Sequence, residues 1–216
     1  MDSAERVDLA ALVAAARELV ADGRRRVLGI TGAPGAGKST LARQITEALG
    51  GRAVLVGLDS FHLSNAELHR LGRHDRKGAA DTFDAAGYQA LLRRLRPQED
   101  EIVYAAEFDR SIEESITCVV PVHRDVPLIV TEGNYLLVDD ERWGATIGLI
   151  DQIWYVEPGE DVRMERLIAR HMRFGRSPQE AHERSYGSDQ RNAELIASTR
   201  PRAHRVLQLT TEKEPA

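Results

Sequence analysis

The stretch RVLGITGAPGAGKSTLARQI, residues 26–45, constrains this chain more than any other. An apolar run, Val27–Ile30, leads into Gly32, four further residues, and then Gly37-Lys38-Ser39. A helical pattern, Thr40–Leu49, follows. Glycines let a backbone curl until successive N–H groups converge on phosphate oxygens, and the start of the next helix adds its positive end. A glycine-rich turn arising by chance would lack the strand before it and the helix after it. The segment Gly32, Ala33, Pro34, Gly35, Ala36, Gly37, Lys38, Ser39 and Thr40 is therefore expected to cradle a nucleoside triphosphate. Lys38 should reach the β- and γ-phosphates, and Ser39 should ligate Mg²⁺. The motif says what binds and leaves open what becomes of it.

Further apolar runs recur at Ala53–Leu58, Leu128–Thr131, Ile153–Val156 and Val206–Leu209. Helical patterns separate them at Ala85–Leu95, Asp161–Phe174 and Pro178–Ser198, and an amphipathic pattern occupies residues 1–23. Strands alternating with helices predict an α/β fold around a parallel sheet. Solid rather than alternating apolar runs predict that helices cover both of its faces. Ile102–Tyr104 and Thr117–Val122 fit this frame less well and are expected to form a small antiparallel insertion, about 100–124. Residues 1–216 read as one domain, with a frayed tail at 211–216.

In open parallel sheets, ligands lie beyond the carboxyl ends of the strands. Asp59 follows the second strand, in VGLDSFHLS, and is expected at the same edge as the phosphate loop. There its carboxylate would take the proton of an attacking hydroxyl or help hold Mg²⁺. A helix N-cap at Asp59 or Ser60 would look the same in sequence. Glu132 directly follows Leu128–Thr131, where an acid that binds Mg²⁺ would sit. Arg166, Arg170 and Arg173 share a helix face. Gly175 should end that helix, and Ser177-Pro178 should cap and open the next. This basic segment, about 166–184, is expected to act as a lid whose guanidinium groups neutralise a transferred phosphoryl group; a solvated basic face is the alternative.

Other residues carry less. Asp109-Arg110 could grip a polyol or carboxylate, or form an ion pair within a turn. His62 could orient a substrate or simply stack. Arg76-Lys77, just ahead of DTFD, could lie near the acceptor but reads first as a solvated pair; Arg24-Arg25-Arg26 reads as the basic end of a helix, and Trp143, Trp154, Leu91, Leu92 and Leu95 as packing residues. The net charge of −5 over 216 residues argues against a nucleic-acid footprint. No run reaches the length of a membrane span, and the N-terminal pattern is not that of a signal peptide. A single cysteine, Cys118, excludes an internal disulfide and a cysteine-rich metal site. These features suit the cytoplasm. A homodimer is an open expectation. A guanine-reading Asn-Lys-x-Asp element is absent, which argues against a GTPase switch. A stand-alone ATPase with a regulatory role remains a second reading.

GITGAPGAGKST, LDSFH, DTFD at 81–84, VTEGNYLL and RLIARHMRFGRS occur in an order that resembles the uridine kinase, pantothenate kinase and phosphoribulokinase superfamily. RKGAADTFD and EFDRSIEESI are most similar to a bacterial branch of nucleoside- or sugar (fructose) kinase-like proteins. The resemblance implies a three-layer P-loop NTPase fold of nucleoside/nucleotide kinase type. It also implies ATP-dependent, Mg²⁺-assisted phosphoryl transfer to a hydroxyl of a nucleoside- or sugar-like metabolite, with a pantothenate-type acceptor as the alternative. It makes Asp59, Lys38, Arg170 and Arg173 catalytic, with Arg170 also on the nucleotide. It gives Asp84 the acceptor's hydroxyls and Arg170, Arg173 and Arg176 the lid; together with the residue readings above, Asp59, His62, Asp84, Arg110, Glu132, Arg173 and Arg176 are expected toward the acceptor, and Ser39, Asp59 and Glu132 toward the metal. The chain departs from uridine kinases at His62, where they usually have tyrosine, and YAAEFDRSI matches their insertion only loosely.

Overall fold

The computed structural model describes residues 3–210; the tail expected at 211–216 lies outside them. The chain runs β1 (Glu5–Val7), α1 (Leu9–Glu18), β2 (Arg26–Thr31), α2 (Lys38–Leu49), β3 (Ala53–Leu55), α3 (Asn65–Arg70), α4 (Ala85–Leu95), β4 (Ile102–Asp109), β5 (Glu114–His123), β6 (Leu128–Glu132), β7 (Gln152–Val156), α5 (Glu160–Arg173), α6 (Pro178–Tyr186), α7 (Ser188–Ser198) and β8 (Arg205–Leu209). Six strands form one parallel sheet in the order β1-β8-β7-β2-β6-β3, while β4 and β5 form a separate antiparallel pair.

Alternation along the central strand builds two cores. Leu28 and Ile30 pack with Leu12 and Val13 of α1 and Leu41 and Ile45 of α2. Val27 faces the other way, toward Tyr88, Leu92 and Leu95 of α4, Trp143, and Ile196 of α7. The expected three layers follow. β2 lies between β6 and β7, so the loop leaving it opens at the middle of the sheet edge.

Several expectations change. The strand expected over Ala53–Leu58 stops at Leu55. Val56 N still bonds to the Val130 carbonyl at 2.8 Å, and the Thr131 hydroxyl donates to the Val56 carbonyl at 2.6 Å. Beyond it the chain lifts off the edge into a 3₁₀ turn, Leu58–Phe61. The single helix expected over Pro178–Ser198 breaks at Gly187, whose φ of −96° and ψ of −100° lie outside helical space. The amphipathic N-terminus is a ten-residue helix capped by Asp8, preceded by the short strand β1, which had no sequence signal. Arg25 does not sit at the end of α1. It is buried and donates to the carbonyls of Leu95 (2.7 Å), Val126 (2.9 Å), His123 (2.6 Å) and Arg124 (3.1 Å). Its charge serves the carboxyl end of α4 instead. Ser177 caps α6 and Pro178 opens it, as read from sequence, and Glu180 completes a capping box; Trp143 and Trp154 are fully buried.

Candidate active site

The phosphate loop joins β2 to α2 and is pressed from behind. A Cβ on Gly32 would lie 2.5 Å from the Val156 carbonyl oxygen, and one on Gly35 would lie 2.5 Å from that of Arg163. With φ at +146° and +86°, both positions take glycine for reasons of space and of backbone. Arg163 fastens α5 to this loop. Its guanidinium, 4% exposed, donates to the Pro34 carbonyl at 3.1 Å, to Glu160 at 2.8 and 2.6 Å, and to Gln190 of α7 at 2.6 Å.

Lys38 opens α2 and turns its ammonium back to the Ala33 carbonyl, 3.0 Å away. Burial brings its pKa down to about 8, against the pull of the Glu132 and Asp59 carboxylates. Ser39 Oγ donates to Glu132 Oε1 at 3.1 Å. Glu132 ends β6 and is buried; burial first, and the negative charge of Asp59 second, hold its pKa above the usual carboxylate range. Asp59 lies in the 3₁₀ turn, fixed by the Ser60 hydroxyl on the Gly57 carbonyl at 2.7 Å. Its carboxylate pairs with Arg110, which comes from the tip of the β4–β5 hairpin. Burial opposes the Asp59 charge, but His62 when protonated, Arg110, Lys38 and Arg170 outweigh it and bring its pKa down. Two carboxyls with pKa values pushed apart give one ready proton acceptor and one group suited to a cation.

His62 Nδ1 lies 2.7 Å from the Asp59 carbonyl. A carbonyl only accepts, so Nδ1 carries the proton. Burial keeps the imidazole pKa below the ordinary histidine range, which leaves Nε2 with a lone pair in the neutral ring. The ring is stacked between Phe83 and Phe108, with centroids 4.0 and 4.9 Å away.

These groups share a cleft of about 690 Å³, lined by Lys38, Ser39, Asp59, His62, Arg110, Glu132, Arg170 and Arg176 among the expected residues. Of the residues expected to be catalytic or to face the acceptor, two do not join them. Asp84 is exposed and its carboxylate caps α4, accepting from Gly87 N at 2.8 Å. Arg173 is exposed on the last turn of α5, outside the cleft wall, because the helix face that carries Arg170 inward has rotated past it. Sequence reading missed Phe108, Arg163 and Arg184, and preferred the wrong alternative for Lys77. Lys77 was taken with Arg76 as a solvated pair. In the structure Arg76 forks onto Asp81, while Lys77 turns into the cleft. Arg163 was legible in principle, three residues before Arg166 on the same helix face. Asp109 bonds to Ser111 and not to Arg110, so the turn ion pair is absent.

The model of the Phosphoribulokinase / Uridine kinase family matches residues 27–214. The chain belongs to the phosphoribulokinase/uridine kinase family. A Schizosaccharomyces pombe member provisionally named a uridine kinase is 32% identical over 205 residues, 88% of this chain and 86% of its own. A Nocardioides pantothenate kinase is 27% identical over 159 residues, 68% of this chain and 48% of its own. The crystal structure of a protein provisionally named a fructose transport system kinase, from Silicibacter sp. TM1040, superposes with a TM-score of 0.80 at 32% identity. It covers 95% of this chain and 99% of the other. Family membership makes this protein a phosphotransferase with a hydroxyl acceptor and its fold that of a P-loop kinase. Among the described residues no helix is long and apolar enough to cross a membrane.

Proposed function

We propose that the protein transfers the γ-phosphoryl group of ATP to a hydroxyl of a small polyhydroxylated metabolite bound in the Asp59 end of the cleft. One observation carries this reading: a half-buried Asp59, its pKa lowered by neighbouring cations, shares a single cleft with Lys38, Ser39 and Glu132. Ser39 and Glu132 offer hard oxygen donors 3.1 Å apart, which suits Mg²⁺, an ion that takes one or two protein oxygens and completes its shell with phosphates and water. Bound there, Mg²⁺ supplies charge neutralisation to the β- and γ-phosphate oxygens.

The chain's own groups do the rest. The loop N–H groups and Lys38 hold the triphosphate. The Asp59 carboxylate lies where it can accept the proton of the attacking hydroxyl, and Arg110 beside it keeps it ionised. Arg170 and Arg176 face the cleft from the α5–α6 segment and would offset charge on the transferred group. That segment, about 166–184, serves as a lid that excludes water, and the β4–β5 hairpin, within about 100–124, serves as the acceptor-facing wall. Water exclusion favours transfer over hydrolysis.

Asp59→Asn keeps the side chain's shape and removes its basicity. Turnover should fall by about 10²–10⁴-fold, while calorimetric affinity for a non-hydrolysable ATP analogue stays within a few-fold. Unchanged turnover would remove the base assignment. ADP release that no acceptor accelerates would favour a stand-alone ATPase.

A further inference from the structure

The two ends of the cleft differ in how their cations are paired. At the loop end, Lys38 and Arg170 face the triphosphate cradle. At the other end, Lys77, Arg176 and Arg184 line the wall, and among the described residues none of the three has a carboxylate within ion-pair distance. Lys77 Nζ bonds to neutral oxygens, Asn65 Oδ1 at 2.7 Å and the Glu113 carbonyl. The neighbouring Glu114 carboxylate is taken by the Asn65 N–H at 2.8 Å. Arg184 Nη2 donates to the Lys77 backbone carbonyl at 3.0 Å, which anchors a second cation at the same segment of the cleft wall. Asp75, Glu113 and Asp189 line the same cleft, the charges of Glu114 and Glu113 act on Lys77, and that of Glu180 acts on the exposed Arg176. Lys77 and Arg184 are half-buried with only neutral hydrogen-bond partners, and an anion from outside the chain would satisfy them more fully.

The wall between this end and Asp59 is aromatic. Lys77 Nζ lies 5.3 Å and Arg110 Cζ 5.7 Å from the Phe108 ring centre, and Phe108 stacks on His62, which bonds to the Asp59 backbone. Moving outward from Asp59, a bound molecule meets a carboxylate, the Nε2 lone pair of His62, an aromatic face, and then positive charge.

We propose that the phosphoryl acceptor is an anionic polyhydroxylated metabolite, whose carboxylate or phosphate is held by Lys77 and Arg184 while one hydroxyl meets Asp59. The inference rests on the phosphoryl-transfer reading and adds the acceptor's charge to it. His62 Nε2 accepts a hydrogen bond from a second hydroxyl of the same molecule. The Phe108 face between them fixes the spacing of hydroxyl and anion. Arg176 approaches from the lid and completes the anion's surroundings on closure.

The test is a coupled ADP-release assay on the full chain with Mg²⁺ and ATP, over matched sets of acceptors: glycerol, glycerate and glycerol 3-phosphate; ribose, ribonate and ribose 5-phosphate; fructose, gluconate and fructose 1-phosphate. At least one charged member should exceed its neutral parent at least tenfold in kcat/KM, and the carboxylate and phosphate arms tell which anion is taken. Lys77→Gln should then raise KM for that acceptor tenfold or more and leave KM for ATP within twofold. Lys77→Arg should restore it, and Arg184→Gln gives the same reading should Lys77→Gln fail to fold. The inference is overturned if no charged member outperforms its parent, or if Lys77→Gln weakens neutral and charged acceptors alike. A preference for neutral acceptors sinks this inference alone; ADP release indifferent to both acceptor and Asp59 sinks the phosphoryl-transfer reading beneath it.

Discussion

Lys38 makes a prediction about stability as well as catalysis. The free protein holds Lys38 8% exposed, its ammonium on one carbonyl oxygen, with a pKa lowered from 10.5 to about 8. A drop of that size corresponds to about 3 kcal/mol of native-state destabilisation wherever the group is charged in both states. Lys38→Met keeps the length and the helix propensity at the start of α2 while deleting the charge. At pH 7 the variant should be more stable than the parent by about 2–3 kcal/mol, with a Tm higher by about 4–10 °C for a chain of this size. The pH dependence fixes the cause. Between about pH 8 and 10.5 the unfolded lysine holds its proton and the folded one has lost it, so the parent gains stability as pH rises through that window. The advantage of Lys38→Met should therefore shrink from pH 8 upward and be gone by about pH 10.5. Urea unfolding followed by fluorescence of the buried Trp143 and Trp154, at pH values from 7 to 10, reads this directly. A variant no more stable than the parent at pH 7, or a gap that stays constant with pH, would refute the reasoning. The stabilised variant should at the same time lose triphosphate binding, an instance of function placed at a locally unfavourable site.

Two further perturbations probe the same cleft. Arg110 is one of the cations holding the Asp59 pKa down, so Arg110→Gln should move the acidic limb of the kcat/KM–pH profile to higher pH, with the loss greatest below neutrality; a limb that does not move would separate Arg110 from the base. Gly35→Ala puts a Cβ 2.5 Å from the Arg163 carbonyl at a φ of +86°, and ATP-analogue affinity should fall by about tenfold or more; affinity equal to the parent's would show that the loop relaxes without loss.

That the glycine-rich loop, Lys38, Ser39 and Glu132 would lie together at one sheet edge was legible in sequence because the segments that carry them are contiguous or paired in the sheet. Gly32 through Ser39 form one contiguous loop, and Glu132 ends a strand that pairs with β2 along its length. Expected and observed elements agree within two residues for β2, β6, β7, β8, α2, α4 and α5. What was not legible depends on distant segments. Asp84 and Asp59 look alike as acids after a helix or strand boundary, but the chain beyond Asp84 folds straight into α4, and the free N–H of Gly87 takes the carboxylate. Lys77 enters the cleft only because Asn65 and the hairpin residue Glu113, 36 positions later, supply its oxygens. Arg25 was assigned to a helix end, correctly in kind, but to the wrong helix: its partner carbonyls lie 70 to 101 residues away. Strand β1 has three residues, too short for any periodicity to register.

The division of labour along the chain has an evolutionary corollary. Lys38, Ser39 and Glu132 stand on elements fastened into the six-stranded sheet or starting from it, so displacing them would disturb the frame. Asp59, His62, Lys77, Phe108 and Arg110 stand on turns and on a hairpin that shares no strand pairing with that sheet. On the function proposed above, drift in those segments would re-tailor what is phosphorylated while the elements proposed to grip the triphosphate stay as they are. The same division would let relatives named for uridine, pantothenate and a fructose transport system belong to one family.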